Sequence, residues 1–337
     1  MKIVYLVLKA VYDTKMSRVR FQQIQAIGER APVVWTGPGW TSPMLSPIAA
    51  AVGASVPPWN SSLPHAENVA RIEIGADPVA HNRRVELVVV YGVDDLGDMP
   101  CPVATQFNEA YDTAKVDEYV RSNGITLVIF HHQNDMGRYW WWKRDKIVRV
   151  HVPHCADVTT YYDYGLDKDI DILVAGNLND YYYPFRYRLR GLALGWFRKR
   201  GYRVTVLRHP GYTLPPRAGT VVGQEFAKIL NRTKLVFTCS MRYNYALAKY
   251  SEIALCKSLA VADLPGERKE FFRETILNVE PWMTDAQITR VVEDVLDDET
   301  GLLAKKTAAA YDRTLVSYTM GSYTGRFLRA ATEFLGR

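Results

Sequence analysis

Short apolar, β-branched runs alternate along this chain with longer amphipathic stretches, a pattern that predicts strand–helix–strand units around parallel sheets. In the first half the predicted strands are "KIVYLVLK" (2–9), "APVVWTG" (31–37), "VELVVVYG" (85–92), "PVATQF" (102–107), "ITLVIFHH" (125–132) and "IVRVHVP" (147–153). Helices are expected between them, among others over "SRVRFQQIQAIGER" (17–30) and "TAKVDEYVRSNG" (113–124), the second closed by a glycine stop signal. A polar, tyrosine-rich segment, "HCADVTTYYDYGLDKD" (154–169), breaks the rhythm and reads as a linker. The alternation then resumes. Strands are expected at "IDILVAG" (170–176), "YRVTVLRH" (202–209), "KLVFTCS" (234–240), "LAVAD" (259–263) and "ILNVE" (276–280), with helices at 183–201, 223–232 and from 246, and more helix after 284.

The expected fold class is therefore α/β, with two Rossmann-like doubly wound domains facing a cleft. The first spans residues 1–155 and the second 165–320. A C-terminal helix over 321–337 is a candidate for packing back on the first domain. A chain of 337 residues is long enough for two cores. The 48% hydrophobic content is that of a globular protein. Six excess positive charges, dispersed along the chain, suit an anionic ligand as well as they suit nucleic acid. The four cysteines are far apart and form no C-x-x-C pair, so neither a zinc site nor a disulfide framework is expected. Reduced thiols suit a cytoplasmic protein. The apolar run in "MKIVYLVLKAV" is too short for a signal peptide's core or a membrane span, and no membrane insertion is expected.

In doubly wound sheets, ligands sit beyond the carboxyl ends of the strands. At the first such place in the second half, Gly176 and Asn177 end a strand, Pro184 suits a helix's first turn, and Arg186 follows inside that helix. A glycine turn admits phosphate oxygens to the backbone, and a helix N-terminus with an arginine supplies positive potential. At the second place, "TCSMRYNYALAKYSE", Lys249 and Glu252 sit three residues apart. They form either an i,i+3 surface ion pair or a diphosphate ligand beside a ribose ligand. His209, in "LRHPGY", ends another strand and is a candidate for contact with a base or diphosphate.

The ordered run "VPHCAD", "DIDILVAG", "YPFRYRLRG" and "KYSEIALCKSLAVAD" resembles the donor-binding domain of GT-B glycosyltransferases, including phage DNA β-glucosyltransferases and bacterial "group 1" enzymes. The resemblance covers about residues 150–320. It implies a glycosyltransferase that moves a sugar from a nucleotide-diphosphate donor to a hydroxyl acceptor, for which a glycan is expected. It implies Lys249 on the diphosphate, Glu252 on the ribose, and a phosphate loop of Gly176, Asn177 and Arg186. Many relatives carry a glutamate pair spaced E-x7-E; here no glutamate stands at the earlier position, which falls on Asn244 beside the donor-site candidate Tyr245, so the retaining mechanism tied to that pair is not inherited. Neither a cofactor nor a metal is implied.

The first half is expected to bind the acceptor. Gly37, Gly39 and Trp40 lie in "WTGPGW", either a ligand-contacting turn or an ordinary loop. In "FHHQND", His131 is a candidate acceptor contact, and Asp135 with His132 a candidate general base. Capping of the following helix is the competing role for Asp135. Tryptophans 140–142 are candidates for sugar stacking or for packing. Several other readings stay open. A DNA acceptor is one, although no concentrated Lys/Arg stripe favours it. A D-x-D metal site at Asp169 and Asp171, or at Asp94 and Asp95, is another. A noncatalytic nucleotide-sugar-binding module and a nucleotide-sugar epimerase complete the set.

Overall fold

The computed structural model describes residues 1–16, 18–75 and 83–336. Ser17, the start of the predicted first helix, and Arg337, the end of the predicted C-terminal one, lie outside the described residues. The chain divides into two units, Met1–Pro153 with the segment from Tyr323 onward, and His154–Ser322.

Unit 1 runs β1 (Ile3–Val7), α1 (Lys9–Thr14), α2 (Val19–Gly28), β2 (Val33–Thr36), β3 (Met44–Leu45), α3 (Pro47–Ala51), α4 (His65–Ala70), β4 (Leu87–Tyr91), β5 (Val103–Phe107), α5 (Thr113–Ser122), β6 (Leu127–Phe130), α6 (Gln133–Arg138) and β7 (Val148–His151). Its sheet has the order β3-β2-β1-β4-β5-β6-β7, parallel apart from the short edge strand β3. Ile3 pairs with both Val33 and Leu87, so β1 is central. Every residue of β1, β2 and β6 is buried, as expected for parallel strands covered on both faces.

Unit 2 runs β8 (Ile170–Val174), α7 (Pro184–Leu192), β9 (Val204–Val206), α8 (Gly223–Asn231), β10 (Thr233–Phe237), α9 (Ala248–Leu255), β11 (Leu259–Ala262), α10 (Lys269–Thr275), β12 (Ile276–Asn278), α11 (Asp285–Leu296) and α12 (Leu302–Ser317). The last helix, α13 (Met320–Leu335), belongs to unit 1 from Tyr323 onward. The sheet order is β12-β11-β10-β8-β9, all parallel. Two apolar clusters lie on its faces. Phe185, Leu189, Phe197 and Phe237 belong to one, and Tyr250, Ile253, Val236 and Phe272 to the other. The helix predicted over 183–201 is α7 continued by a π turn (Ala193–Phe197) and a 3-10 turn (Arg198–Arg200), stopped by Gly201 at φ 94°. "TDAQ" starts α11 with a reciprocal cap, Thr284 and Gln287 each satisfying the other's backbone N–H.

In both units the strand order reverses beside the first strand, between β1 and β4 in unit 1 and between β8 and β10 in unit 2. Chain connections leave such a reversal in opposite directions, opening a crevice beyond the carboxyl ends of the two strands.

Candidate anion site of unit 2

At the carboxyl end of β8 the chain turns through Gly176 at φ 110°, a conformation that L side chains rarely adopt. A Cβ there would lie 2.7 Å from Arg186 Nη1, so glycine is also needed for the guanidinium to seat against the turn. Arg186 projects back from the first turn of α7 and is 2% exposed. Its Nη1 donates to the Asn177 carbonyl at 3.0 Å and its Nη2 to Thr238 Oγ1 at 3.1 Å, bridging the ends of β8 and β10 across the reversal. The guanidinium lies 4.4 Å from the Tyr183 ring. Its Nε is buried without a hydrogen-bond partner, and among the described residues no carboxylate pairs with it. A buried cation in this state is short of an anion.

Other positive groups face the same region. Lys249, in the first turn of α9, forms an ion pair with Glu252 at 2.9 Å, so the simple i,i+3 contact exists. It does not lie on an open face: the side chains are 22% and 18% exposed, and the ammonium sits 4.3 Å from the centre of the Phe226 ring. The His209 ring has its proton affinity lowered by burial first, then by the charges of Lys249, Arg217 and Arg186. That influence places His209 within electrostatic reach of all three. Its Nδ1 accepts the Gly211 N–H at 3.1 Å, leaving Nε2 as the donor position of the neutral ring. Neither α7 nor α9 has a side-chain cap or an acidic residue in its first turn, so both N-termini keep their positive field.

Asn177 organises its own loop. Its Oδ1 accepts the Asn179 N–H at 2.9 Å, while Nδ2 donates to the Tyr212 hydroxyl at 2.8 Å. Opposite, Met241 and Asn244 hold left-handed φ values of 65° and 56°, strain of the kind that gathers at functional loops. The buried Asp263 braces this loop by accepting from the Ser240 N–H at 2.8 Å and from its hydroxyl. Gly176, Asn177, Arg186, His209, Lys249 and Glu252 are thus grouped around the carboxyl ends of β8, β9 and β10. Sequence reasoning missed Thr238, Tyr212 and Arg217. Only Thr238, a polar residue at a strand's end, carries a signal that points to it.

Tyr245 is fully buried, with its ring stacked on Tyr243. Asp169 and Asp171 lie at the other end of β8, the first paired with Arg232 and the second with Arg203 at 3.0 Å and Lys234 at 2.8 Å. Both carboxylates of the D-x-D candidate thus have cationic partners, away from the carboxyl ends of the strands. Among the described residues no group of three or more His, Cys, Asp or Glu is placed to hold a metal. No described helix is long and apolar enough to cross a membrane.

The residues predicted to touch an acceptor in unit 1 have internal partners. Gly37, at φ 143°, passes so close to β1 that a Cβ would lie 2.7 Å from the Val7 carbonyl, and a Cβ on Gly39 would lie 3.0 Å from Lys9 Cβ. The close approach that the glycines permit is to the protein itself. Trp40 is 6% exposed and donates Nε1–H to the Val7 carbonyl at 2.7 Å. His131 is buried between the Val152 carbonyl, 2.9 Å from Nδ1, and Gln106 Nε2, 3.0 Å from Nε2. His132 is 1% exposed, and burial, then His151, pushes its pKa down to about 3. Such a ring is neutral and a weak proton acceptor at neutral pH. Asp135 is equally buried. Its carboxylate accepts the Ala110 N–H at 2.7 Å and pairs with Arg138 at 3.4 Å. It stands in the first turn of α6, whose N-cap position is His132, so it is not the helix cap either. Trp142 is fully buried and stacks on Tyr139, whereas Trp140 is 62% exposed.

No family model matches this sequence, and no curated protein matches it. Solved structures do. HepE (Alr3699) of Anabaena, solved in complex with UDP and glucose, is similar over 99% of this chain and 100% of its own, with a TM-score of 0.59 at 12% identity. The sucrose-phosphate synthase of Thermosynechococcus elongatus is similar over 100% of both chains, with a TM-score of 0.58 at 12% identity. A glycosyltransferase of Rickettsia africae covers 99% of this chain and 98% of its own, with a TM-score of 0.57 at 12% identity. The chain spans only 57% of the pneumococcal O-GlcNAc transferase GtfA, to which it is also similar. With two doubly wound parallel sheets, and full-length likeness to these enzymes, the chain has the GT-B glycosyltransferase fold.

Proposed function

We propose that this protein is a glycosyltransferase that moves a sugar from a nucleotide-diphosphate donor to a hydroxyl acceptor, for which a glycan is the expected class. The observation that carries the reading is the buried Arg186, without a carboxylate partner among the described residues, seated on the Gly176 turn at the strand-order reversal of unit 2. Arg186, Lys249 and the uncapped N-termini of α7 and α9 receive the diphosphate, and Glu252 the ribose hydroxyls. As the glycosidic C–O bond breaks, negative charge grows on the leaving phosphate oxygen, and fixed cations around it lower the barrier. His209, neutral and offering Nε2–H, donates to the diphosphate or the base. Transfer on this reading is independent of a divalent metal, because the protein's own cations meet the leaving group. The UDP and glucose bound to HepE make UDP-glucose the first donor to try. Neither Asp135 nor His132 is assigned the acceptor's deprotonation, since Asp135 is buried with the Ala110 N–H and Arg138 as partners and His132 is buried with its proton affinity lowered.

The test is calorimetric titration with nucleoside diphosphates, followed by transfer assays with the matching sugars. Saturable binding of one diphosphate, and sugar transfer that survives EDTA, are expected. Absence of binding across the panel would defeat the reading. Loss of transfer in EDTA, restored by manganese, would defeat its metal-independent part.

A further inference from the structure

Among the described residues, unit 1 also holds a cation without an acidic partner at the ends of its strands. Arg20 stands in the first turn of α2 and reaches the carboxyl ends of two strands. Its Nη1 donates to the Gln106 carbonyl near the end of β5 at 2.8 Å, and its guanidinium carbon lies 4.1 Å from the centre of the Tyr91 ring at the end of β4. Burial lowers the proton affinity of the guanidinium, and the groups that offset this are the hydroxyls of Tyr91, Tyr323, Tyr5 and Tyr119 rather than a carboxylate. Among the described residues no ion pair engages Arg20, Arg18 or Lys15. Arg18 lies 4.3 Å from the Tyr12 ring. The N-terminus of α2 has no side-chain cap and no acidic residue in its first turn. The Tyr5 hydroxyl, in electrostatic reach of Arg20, is buried with no hydrogen-bond partner. Glu109, which Lys15 influences, has its proton affinity raised by burial first and then by Asp135.

A planar fork with one of its donor groups committed to a carbonyl, lying over an aromatic ring, suits an oxyanion carried on a sugar. The strand ends are where an αβ sheet takes its ligand. We infer that Arg20, lying over Tyr91 at the carboxyl ends of β4 and β5, is an oxyanion subsite for an acceptor sugar that bears a phosphate or a carboxylate. This subsite rests on the proposed glycosyltransfer only for calling the sugar an acceptor; the anion site itself stands on unit 1 alone.

Titration of the full chain with glucose 6-phosphate, glucuronate and glucose tests it, with uridine diphosphate titrated into the same preparations. The phosphate and uronate arms separate the two sources of the oxyanion, and glucose should bind least. Arg20→Gln should weaken the preferred anionic sugar by about tenfold to a hundredfold, the scale of a lost hydrogen bond to a charged group. Uridine diphosphate should bind that variant as it binds the wild type. If Arg20→Gln does not fold, Arg20→Lys replaces it: several-fold weaker binding supports the subsite, and wild-type affinity overturns it. Equal binding of the anionic sugars by wild type and Arg20→Gln would also overturn it, as would a wild type that binds no anionic sugar better than glucose. Failure of uridine diphosphate to bind, with the Arg20-dependent difference intact, would sink the donor reading and leave the anion subsite standing.

Discussion

Each unit reverses its strand order beside a central strand, yet the two crevices are filled differently. In unit 2 the reversal between β8 and β10 is bridged by Arg186, whose charge has no acidic partner among the described residues. In unit 1 the protein's own groups pack against the carboxyl end of β1, from the β4 side and from the β2 side. The Leu8 N–H donates to the Tyr91 carbonyl at 3.2 Å, Gly37 lies on the Val7 carbonyl, and Trp40 donates to the same oxygen. The positive charge in unit 1 stands one strand further along, at Arg20 over β4 and β5. The same doubly wound plan thus leaves a cation without an acidic partner, among the described residues, at the reversal in one unit and beside it in the other. What differs is which side chains follow the strands. A glycine at φ 110° makes room for an arginine in unit 2, and glycines make room for backbone in unit 1.

The largest test of that contrast is Gly176→Ala. The left-handed φ and the contact with Arg186 together should lower stability by at least about 2 kcal/mol and unseat the guanidinium. Thermal unfolding and diphosphate titration should fall together, whereas a stable variant with wild-type binding would remove Gly176 from the site. Next, Lys249→Ala should weaken diphosphate binding, and Glu252→Gln binding of the ribose, by about 1.5–3 kcal/mol each. If calorimetry finds both at wild-type affinity, the pair is an intrahelical ion pair and nothing more.

On the unit 1 side, Asp135→Ala leaves the buried Ala110 N–H without its acceptor and should cost about 1–3 kcal/mol in denaturant unfolding. Asp135→Asn keeps an acceptor and should retain more of the stability, with turnover close to wild type. A turnover loss of about a hundredfold or more in a stable Asn variant would restore the general-base role. His132 gives a pH signature. The unfolded ring takes up a proton near pH 6.5 and the folded ring only near 3, so the unfolded state binds more protons between those values. Stability should therefore fall as pH drops from about 6.5, by at most about 1.4 kcal/mol per unit from this group. His132→Asn should flatten that slope, and an unchanged slope would place the titration elsewhere. The smallest effect is expected for Trp40→Phe, which loses one hydrogen bond, about 1 kcal/mol, and should leave every ligand titration unchanged.

Much of this was legible in the chain. Every predicted strand of both halves exists, because parallel strands buried on both faces need unbroken β-branched runs that few other elements share. The pattern did not show β3, two exposed residues long, or the π and 3-10 turns that finish α7. The grouping of Gly176, Asn177, Arg186 and Lys249 was legible because strand–Gly–helix junctions and basic residues in the following helix leave a local signature. "FHHQND" carried the same kind of signature, and its His131 and Asp135 have internal partners. Whether a histidine or aspartate at a strand's end faces a ligand or a neighbouring backbone depends on groups 20 or more residues away. For His131 these are Gln106 and Val152, and for Asp135 it is Ala110. The sequence by itself determined the two parallel sheets and the positions at which chemistry could sit, because hydrophobic period and turn residues act locally. Only the tertiary structure decided which of those polar groups were already satisfied. Burial and hydrogen bonding are settled by long-range packing, and Arg186 and Arg20 stand out only once the contacts of the groups around them are in place.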